Sequence, residues 1–156
     1  MTLKKSFAVS LVAAVVGVCA VGSADADAPG GDRVEVIELA IHNDQYAAAD
    51  LGPAGPSLGD MDVYSGTAVK DGRTVGRGGG SCQVVRIEGG KRTTHCLITL
   101  ELERGSLTMQ SLWTSGTDSL DMAVTGGTGV YSNARGTARY WDIATTTERM
   151  RAEIQR

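Results

Sequence analysis

The chain has 156 residues, with 15 Lys and Arg against 18 Asp and Glu, two His, three Cys and 4% aromatic residues. A mildly acidic chain of this size, with no basic cluster, excludes nucleic acid and anionic lipid as expected partners. Neither histidine belongs to an H-x-H, H-x-x-x-H or C-x-x-C pattern, so no metal site is expected.

Lys4 and Lys5 precede the apolar run FAVSLVAAVVGVCAV, which is followed by small residues around Ser23–Ala28. Positive, then apolar, then small is the order of a secretory signal peptide. The run is shorter than the roughly 20 residues that span a bilayer as a helix. Residues 1–28 are therefore assigned to a signal peptide and the start of a leader, and 29–156 to one domain, secreted and free of the membrane after cleavage. Lipid attachment at Cys19 is the alternative, disfavoured by the bulk of Val18 before it. Losing Lys4 and Lys5 leaves 13 basic against 18 acidic residues, a net charge of −5. Cys82 and Cys96 remain as an even pair in an oxidising compartment.

After the leader ADADAPGGDR (24–33), the chain reads as strand after strand. RVEVIELAI (33–41) comes first. The connection 43–61, carrying Tyr46, reads as a lid over whatever the fold encloses. DVYSGTAVK (62–70) follows, then SCQVVRIE (81–88) and RTTHCLITLELE (92–103), joined by Gly89–Gly90. SLTMQSLW (106–113), SLDMAVT (119–125), ARGTARYWD (134–142) and TTTERMRAEI (145–154) complete the series; Glu148–Ile154 also suits a short helix on propensity. Short β-like runs, punctuated by Gly, Asp and Asn and lacking a helical period, make this an all-β chain. Eight antiparallel strands suggest a barrel or a sandwich, and closure into a β-barrel removes exposed edges.

Two details of facing stay open at this level. In the first run Val34, Val36, Glu38 and Ala40 share one face and Glu35, Ile37, Leu39 and Ile41 the other, and both are partly apolar. In the 81–103 hairpin, a turn centred on Gly89 sets Cys82 opposite Cys96 and allows a disulfide, whereas a two-residue Gly89–Gly90 turn sets Cys96 opposite Gln83 and does not. Cys96, Ile98, Leu100 and Leu102 form the apolar, inward side of that hairpin, interrupted on the outer side only by Leu97.

Two glycine motifs invite enzymatic readings and lose them. TGGTGVYSNARGTARYW (125–141) contains a G-x-G, but Ser132 stands where a dinucleotide fingerprint needs its third glycine, and no helix follows. It reads as a strand-to-strand corner. Gly55-Pro-Ser57-Leu-Gly59 matches G-x-S-x-G, yet no strand feeds it and no helix leaves it, so Ser57 is a loop residue. His42, beside Asn43 and Asp44, reads as a strand end.

VTGGTGVYSNARGTARY resembles the strand-turn-strand signature of plant dirigent proteins and allene oxide cyclases. SLGD (57–60), GGGSCQVV (78–85) and LTMQSLW followed by TDSLDMAVTGG resemble further cyclase segments in the same order. The resemblance covers 33–154; bacterial spirotetronate cyclases, which close rings by [4+2] reactions, are similar barrels. It implies an eight-stranded antiparallel, calycin-type barrel with an apolar interior open at one end, forming homodimers or homotrimers. It implies that Glu38 is an inward catalytic carboxylate and Cys82 a cavity thiol, with Trp113 lining the pocket. Ala40 stands where the cyclases keep an asparagine, which sets the allene oxide reaction itself apart.

The function this suggests is a cofactor-free cyclase or isomerase acting on a hydrophobic, unsaturated small molecule. Glu38 and Cys82 would act chemically, and Trp113, Met109, Ile98, Leu100 and Tyr46 would bind. The alternative is a non-catalytic dirigent-like guide or a carrier of a lipophilic ligand. A free Cys82 thiol would suit contact with substrate, and a Cys82–Cys96 disulfide a structural staple.

Overall fold

The computed structural model describes residues 34–156; the expected signal peptide, leader and Cys19 lie outside them. The described residues form eight strands: β1 (Val34–Ala49), β2 (Met61–Lys70), β3 (Arg73–Glu88), β4 (Lys91–Leu102), β5 (Gly105–Thr114), β6 (Ser119–Gly127), β7 (Arg135–Trp141) and β8 (Thr147–Gln155). Each pairs antiparallel with the next, and β8 returns to β1, giving a closed barrel in simple up-and-down order. Eight strands enclose an interior just wide enough for packed side chains or one small ligand.

The strands follow the sequence pattern, with three differences. β1 does not end at Ile41: it shifts register between Asn43 and Gln45 and continues to Ala49, so Tyr46 stands on a strand extension rather than on a lid loop. β3 begins eight residues earlier than SCQVV, at Arg73, and takes in the glycines at 76 and 78–80. The last segment is strand, not helix, because Met150, Ala152 and Ile154 alternate inward and are buried.

The 89–90 hairpin contains both registers that the sequence allows. Gly89 and Gly90 take φ of 56° and 75°, the paired left-handed geometry of a two-residue turn, and Glu88 faces Lys91. A register shift between Val84 and Arg86 then leaves Val85 unopposed, and from Val84 onward the partners run Val84–Thr94, Cys82–Cys96 and Gly80–Ile98. The extra residue is what sets the two cysteines opposite one another.

The TGGTG corner is structural. β6 ends at Gly127, a 3₁₀ turn spans Gly129–Tyr131, and β7 leaves from Arg135. A side chain at Gly127 would drive into the Ser106 carbonyl of β5, so only glycine lets the strands approach there. The turn carries Tyr131 into the closed end of the barrel, where it is 4% exposed. The Arg156 guanidinium lies 5.9 Å from the Tyr131 ring centre and pairs with Glu35, the inward-facing glutamate of β1. Leu107, Met109, Met122, Met150 and Ile154 pack this half of the barrel as a buried core.

Candidate functional site

The other half of the barrel is hollow. A cavity of about 500 Å³ opens there, a size usual for small-molecule sites. Parity along each strand decides what lines it. On β4 the inward row runs Arg92, Thr94, Cys96, Ile98, Leu100, from mouth to floor; on β2 it is Asp62, Tyr64, Gly66. Leu120, Tyr140 and Trp113 complete the apolar wall, and Asn43, Gln45, Tyr46, Thr145 and Glu148 form the rim.

Two phenols stand in this apolar chamber. Burial pushes the Tyr64 hydroxyl well above the ordinary tyrosine range, and the nearby charges of Glu148 and Asp62 push it further. Tyr140 is raised in the same direction, first by burial and then by Tyr64 and Glu148. Both are therefore proton-bearing donors at any physiological pH. Their present contacts are weak sulfur contacts: the Tyr64 hydroxyl lies 3.5 Å from Cys82 Sγ, and Tyr140 donates to Met109 Sδ at 3.9 Å. An oxygen or nitrogen acceptor on a ligand would displace either contact at little cost.

Glu148 is the carboxylate near both phenols. It is the second residue of β8, on the inward parity of Met150, Ala152 and Ile154, and sits opposite Ile41. Its Oε1 accepts from the Asn43 side-chain amide at 3.3 Å and from the Ala144 N–H at 3.0 Å. The second rim carboxylate, Asp62, accepts from the Tyr46 hydroxyl, and that bond raises the Tyr46 phenol above its ordinary value. Arg92 is the one basic residue of the lining, and none of the described residues accepts from its guanidinium.

Several expected site residues stand elsewhere. Glu38 faces outward: Val34, Val36 and Glu38 are exposed, while Ile37 and Leu39 are buried. Its Oε1 accepts from Arg151 Nη1 at 2.8 Å on the outside of the barrel, so it cannot meet a ligand in the cavity. Cys82 does line the cavity, but as half of a disulfide with Cys96, which leaves no thiol to act. Met109 is fully buried in the packed half, below the cavity floor. Trp113, Ile98, Leu100 and Tyr46 do lie on the cavity surface, and the buried Trp113 indole N–H has no partner among the described residues.

Sequence reasoning missed Tyr64, Tyr140, Glu148 and Arg92. The parity of β8 would have found Glu148, because the run Glu148, Met150, Ala152, Ile154 puts one carboxylate on an otherwise apolar inner row. Ser57 is a loop residue, as expected. Its N–H and hydroxyl both donate to Asp60, at 2.7 and 2.9 Å, and Asp60 also takes the Leu51 N–H at 3.1 Å, which closes the β1–β2 loop. Among the described residues no group of three His, Cys, Asp or Glu side chains could hold a metal ion.

The family model for the allene oxide cyclase barrel-like domain matches residues 35–155, all eight strands. The chain belongs to this family. No curated protein matches the sequence. Among solved structures, a pyocyanin demethylase is 33% identical, with a TM-score of 0.73, over 77% of this chain and 99% of its own. A Diels–Alderase from Streptomyces koyangensis is 18% identical, with a TM-score of 0.66, over 81% of this chain and 70% of its own. A pterocarpan synthase dirigent protein is 16% identical, with a TM-score of 0.59, over 79% and 94%. The last two share the fold alone; the first shares a third of its sequence as well.

Proposed function

We propose that the barrel binds one hydrophobic, planar small molecule in its cavity and acts on it as an enzyme, by chemistry of the demethylase kind. The observation that carries this reading is the grouping of Glu148, at the rim, with Tyr64 and Tyr140 in a largely apolar cavity. Flat aromatic walls at Trp113, Tyr64 and Tyr140 suit a ring system. A carboxylate with two protonated phenols supplies an acceptor and two donors at fixed positions: the carboxylate takes a proton from the N-methyl carbon, the phenols deliver protons to the ring, water adds to that carbon, and it leaves as formaldehyde while the ring keeps the two electrons and is released in its reduced form. The 33% identical neighbour is named for demethylating pyocyanin, a planar three-ring heteroaromatic with an N-methyl group.

A second reading is ring closure or isomerisation of an unsaturated substrate, favoured by the shape of the apolar wall from Ile98 and Leu100 to Leu120. A pericyclic step needs folding of the substrate more than proton transfer. On that reading Glu148 is dispensable.

The test is to incubate the protein with pyocyanin and, separately, with a conjugated polyene, and to follow products by mass spectrometry. Formaldehyde and the demethylated, reduced ring in equal amounts, without added oxidant and abolished by Glu148→Gln, are expected. Cyclised polyene with no demethylated product, unchanged by Glu148→Gln, would replace the first reading with the second. Binding without any product would leave a carrier or a dirigent-like guide.

A further inference from the structure

The rim of the cavity is unevenly satisfied. Both of its carboxylates are already engaged by the protein: Asp62 by the Tyr46 hydroxyl, and Glu148 by Asn43 and the Ala144 N–H. Its one basic side chain is not. Among the described residues Arg92 is hydrogen-bonded through its backbone alone, its N–H donating to Ser115 Oγ at 3.1 Å and its carbonyl accepting from the Ser115 N–H at 2.9 Å. Other exposed arginines have found carboxylates, including Arg77 with Glu101, Arg139 with Asp121, Arg149 with Asp142 and Arg151 with Glu38 and Glu153. Arg92, half-buried at the cavity mouth, has no carboxylate partner among the described residues.

Strand parity gives this cation a direction. Arg92 heads the inward row of β4, which descends through Thr94 and Cys96 to Ile98 and Leu100, and Trp113 stands opposite Thr94 on β5. One side of the cavity thus runs from a guanidinium at the mouth, past an indole, to an aliphatic floor. A ligand lying along that side meets charge at one end and hydrocarbon at the other.

We infer that the natural ligand carries an anionic oxygen group, a carboxylate or an enolate or phenolate oxygen, and that Arg92 binds it at the mouth while the apolar body of the ligand rests on Ile98 and Leu100. The inference rests on the reading of the cavity as a small-molecule site and adds the charge and orientation of what fills it. A guanidinium presents paired N–H donors matched to such oxygens, and the apolar wall beneath it strengthens the pairing relative to bulk water. The ligand is then selected by two features at once: its length of apolar surface and the acid at one end.

The experiment compares phenazine-1-carboxylate with phenazine-1-carboxamide, which share a ring and differ in charge. Titration calorimetry is run with the wild-type protein, Arg92→Met and Arg92→Lys at neutral pH. Wild type binds the acid tighter than the amide by about tenfold or more, the size usual for a charge-assisted pair. Arg92→Met abolishes the preference while retaining affinity for the amide, and Arg92→Lys restores part of it. An acid and amide bound equally by wild type, with no effect of Arg92→Met, would overturn the role of Arg92 and leave the apolar site standing. Failure of both compounds to bind a folded wild-type protein would overturn the small-molecule reading itself. Unfolding curves of the variants confirm that each is folded, as expected where the guanidinium makes no hydrogen bond or ion pair among the described residues.

Discussion

Asn43 fixes Glu148 across the seam of the barrel: its side-chain amide donates to the Glu148 carboxylate at 3.3 Å and to the Thr145 carbonyl at 2.7 Å. The Asn43 N–H also donates to the Thr146 carbonyl, at 3.1 Å, so this rim residue ties β1 to the entry of β8 at three points. Removing the charge with Glu148→Gln should lower turnover roughly 10²- to 10⁴-fold, the range for losing a general acid or base. Asn43→Ala leaves the carboxylate in place but frees its orientation. It should lower kcat by a smaller factor with little change in KM, a split read directly from steady-state kinetics.

Glu38 provides the opposite case. Its pair with Arg151 is exposed on the outer wall, and such pairs contribute little to stability. Glu38→Gln should leave turnover, ligand affinity and the denaturation midpoint unchanged within error. A fall in activity with unchanged folding would show that the outward position of Glu38 is wrong.

The Cys82–Cys96 disulfide closes a loop of 14 residues in sequence separation, and loops of that size are stabilised by about 3 kcal/mol. Replacing both cysteines by serine should lower the unfolding free energy by about that amount in urea titrations. Reductant should do the same to the wild type and nothing to the double variant. Because the bond also forms part of the cavity wall, ligand affinity should weaken in the variant even where it remains folded.

Asp60 gives the fold a pH dependence. Hydrogen bonds from the Ser57 N–H and hydroxyl, and from the Leu51 N–H, hold its carboxyl below the ordinary Asp value of 3.8. A carboxyl whose pKa is lower in the folded than in the unfolded state adds stability that is complete above the ordinary value and is lost as the pH falls below it. The urea midpoint of the wild type should therefore drop on acidification below about pH 4. Asp60→Asn should start lower at neutral pH and show a shallower acid limb.

Much of the barrel was legible because its strands alternate cleanly and its turns carry glycine. β6, with Leu120, Met122 and Val124 inward and Asp121, Ala123 and Thr125 outward, could be read from the sequence alone. β1 could not, because its outer face begins with Val34 and Val36, which are exposed at 55% and 45%. Two apolar residues on the solvent side erased the contrast, and the resemblance to the cyclases then tipped Glu38 inward when Glu35 is the inward glutamate. The β1 extension was hidden by the polar run His42–Gln45, which reads as a loop until the register shift with β2 is seen. The disulfide depended on the unopposed Val85, a single residue that no local pattern marks. Tyr64, Tyr140 and Glu148 come from three separate strands, and only closure of the barrel brings them to one chamber.

The central claim is that the hollow half of the barrel is a ligand site, and filling it is the most direct test. Ile98 lies on the cavity wall, opposite Gly80 on β3 and Met109 on β5. Quenching of tryptophan fluorescence by a planar three-ring aromatic such as phenazine should report one-to-one binding to the wild type. In Ile98→Trp, with its folded state confirmed by urea titration, binding should be abolished because the indole occupies the ligand's place. Equal affinity in the folded variant would put the ligand outside the cavity and contradict the account.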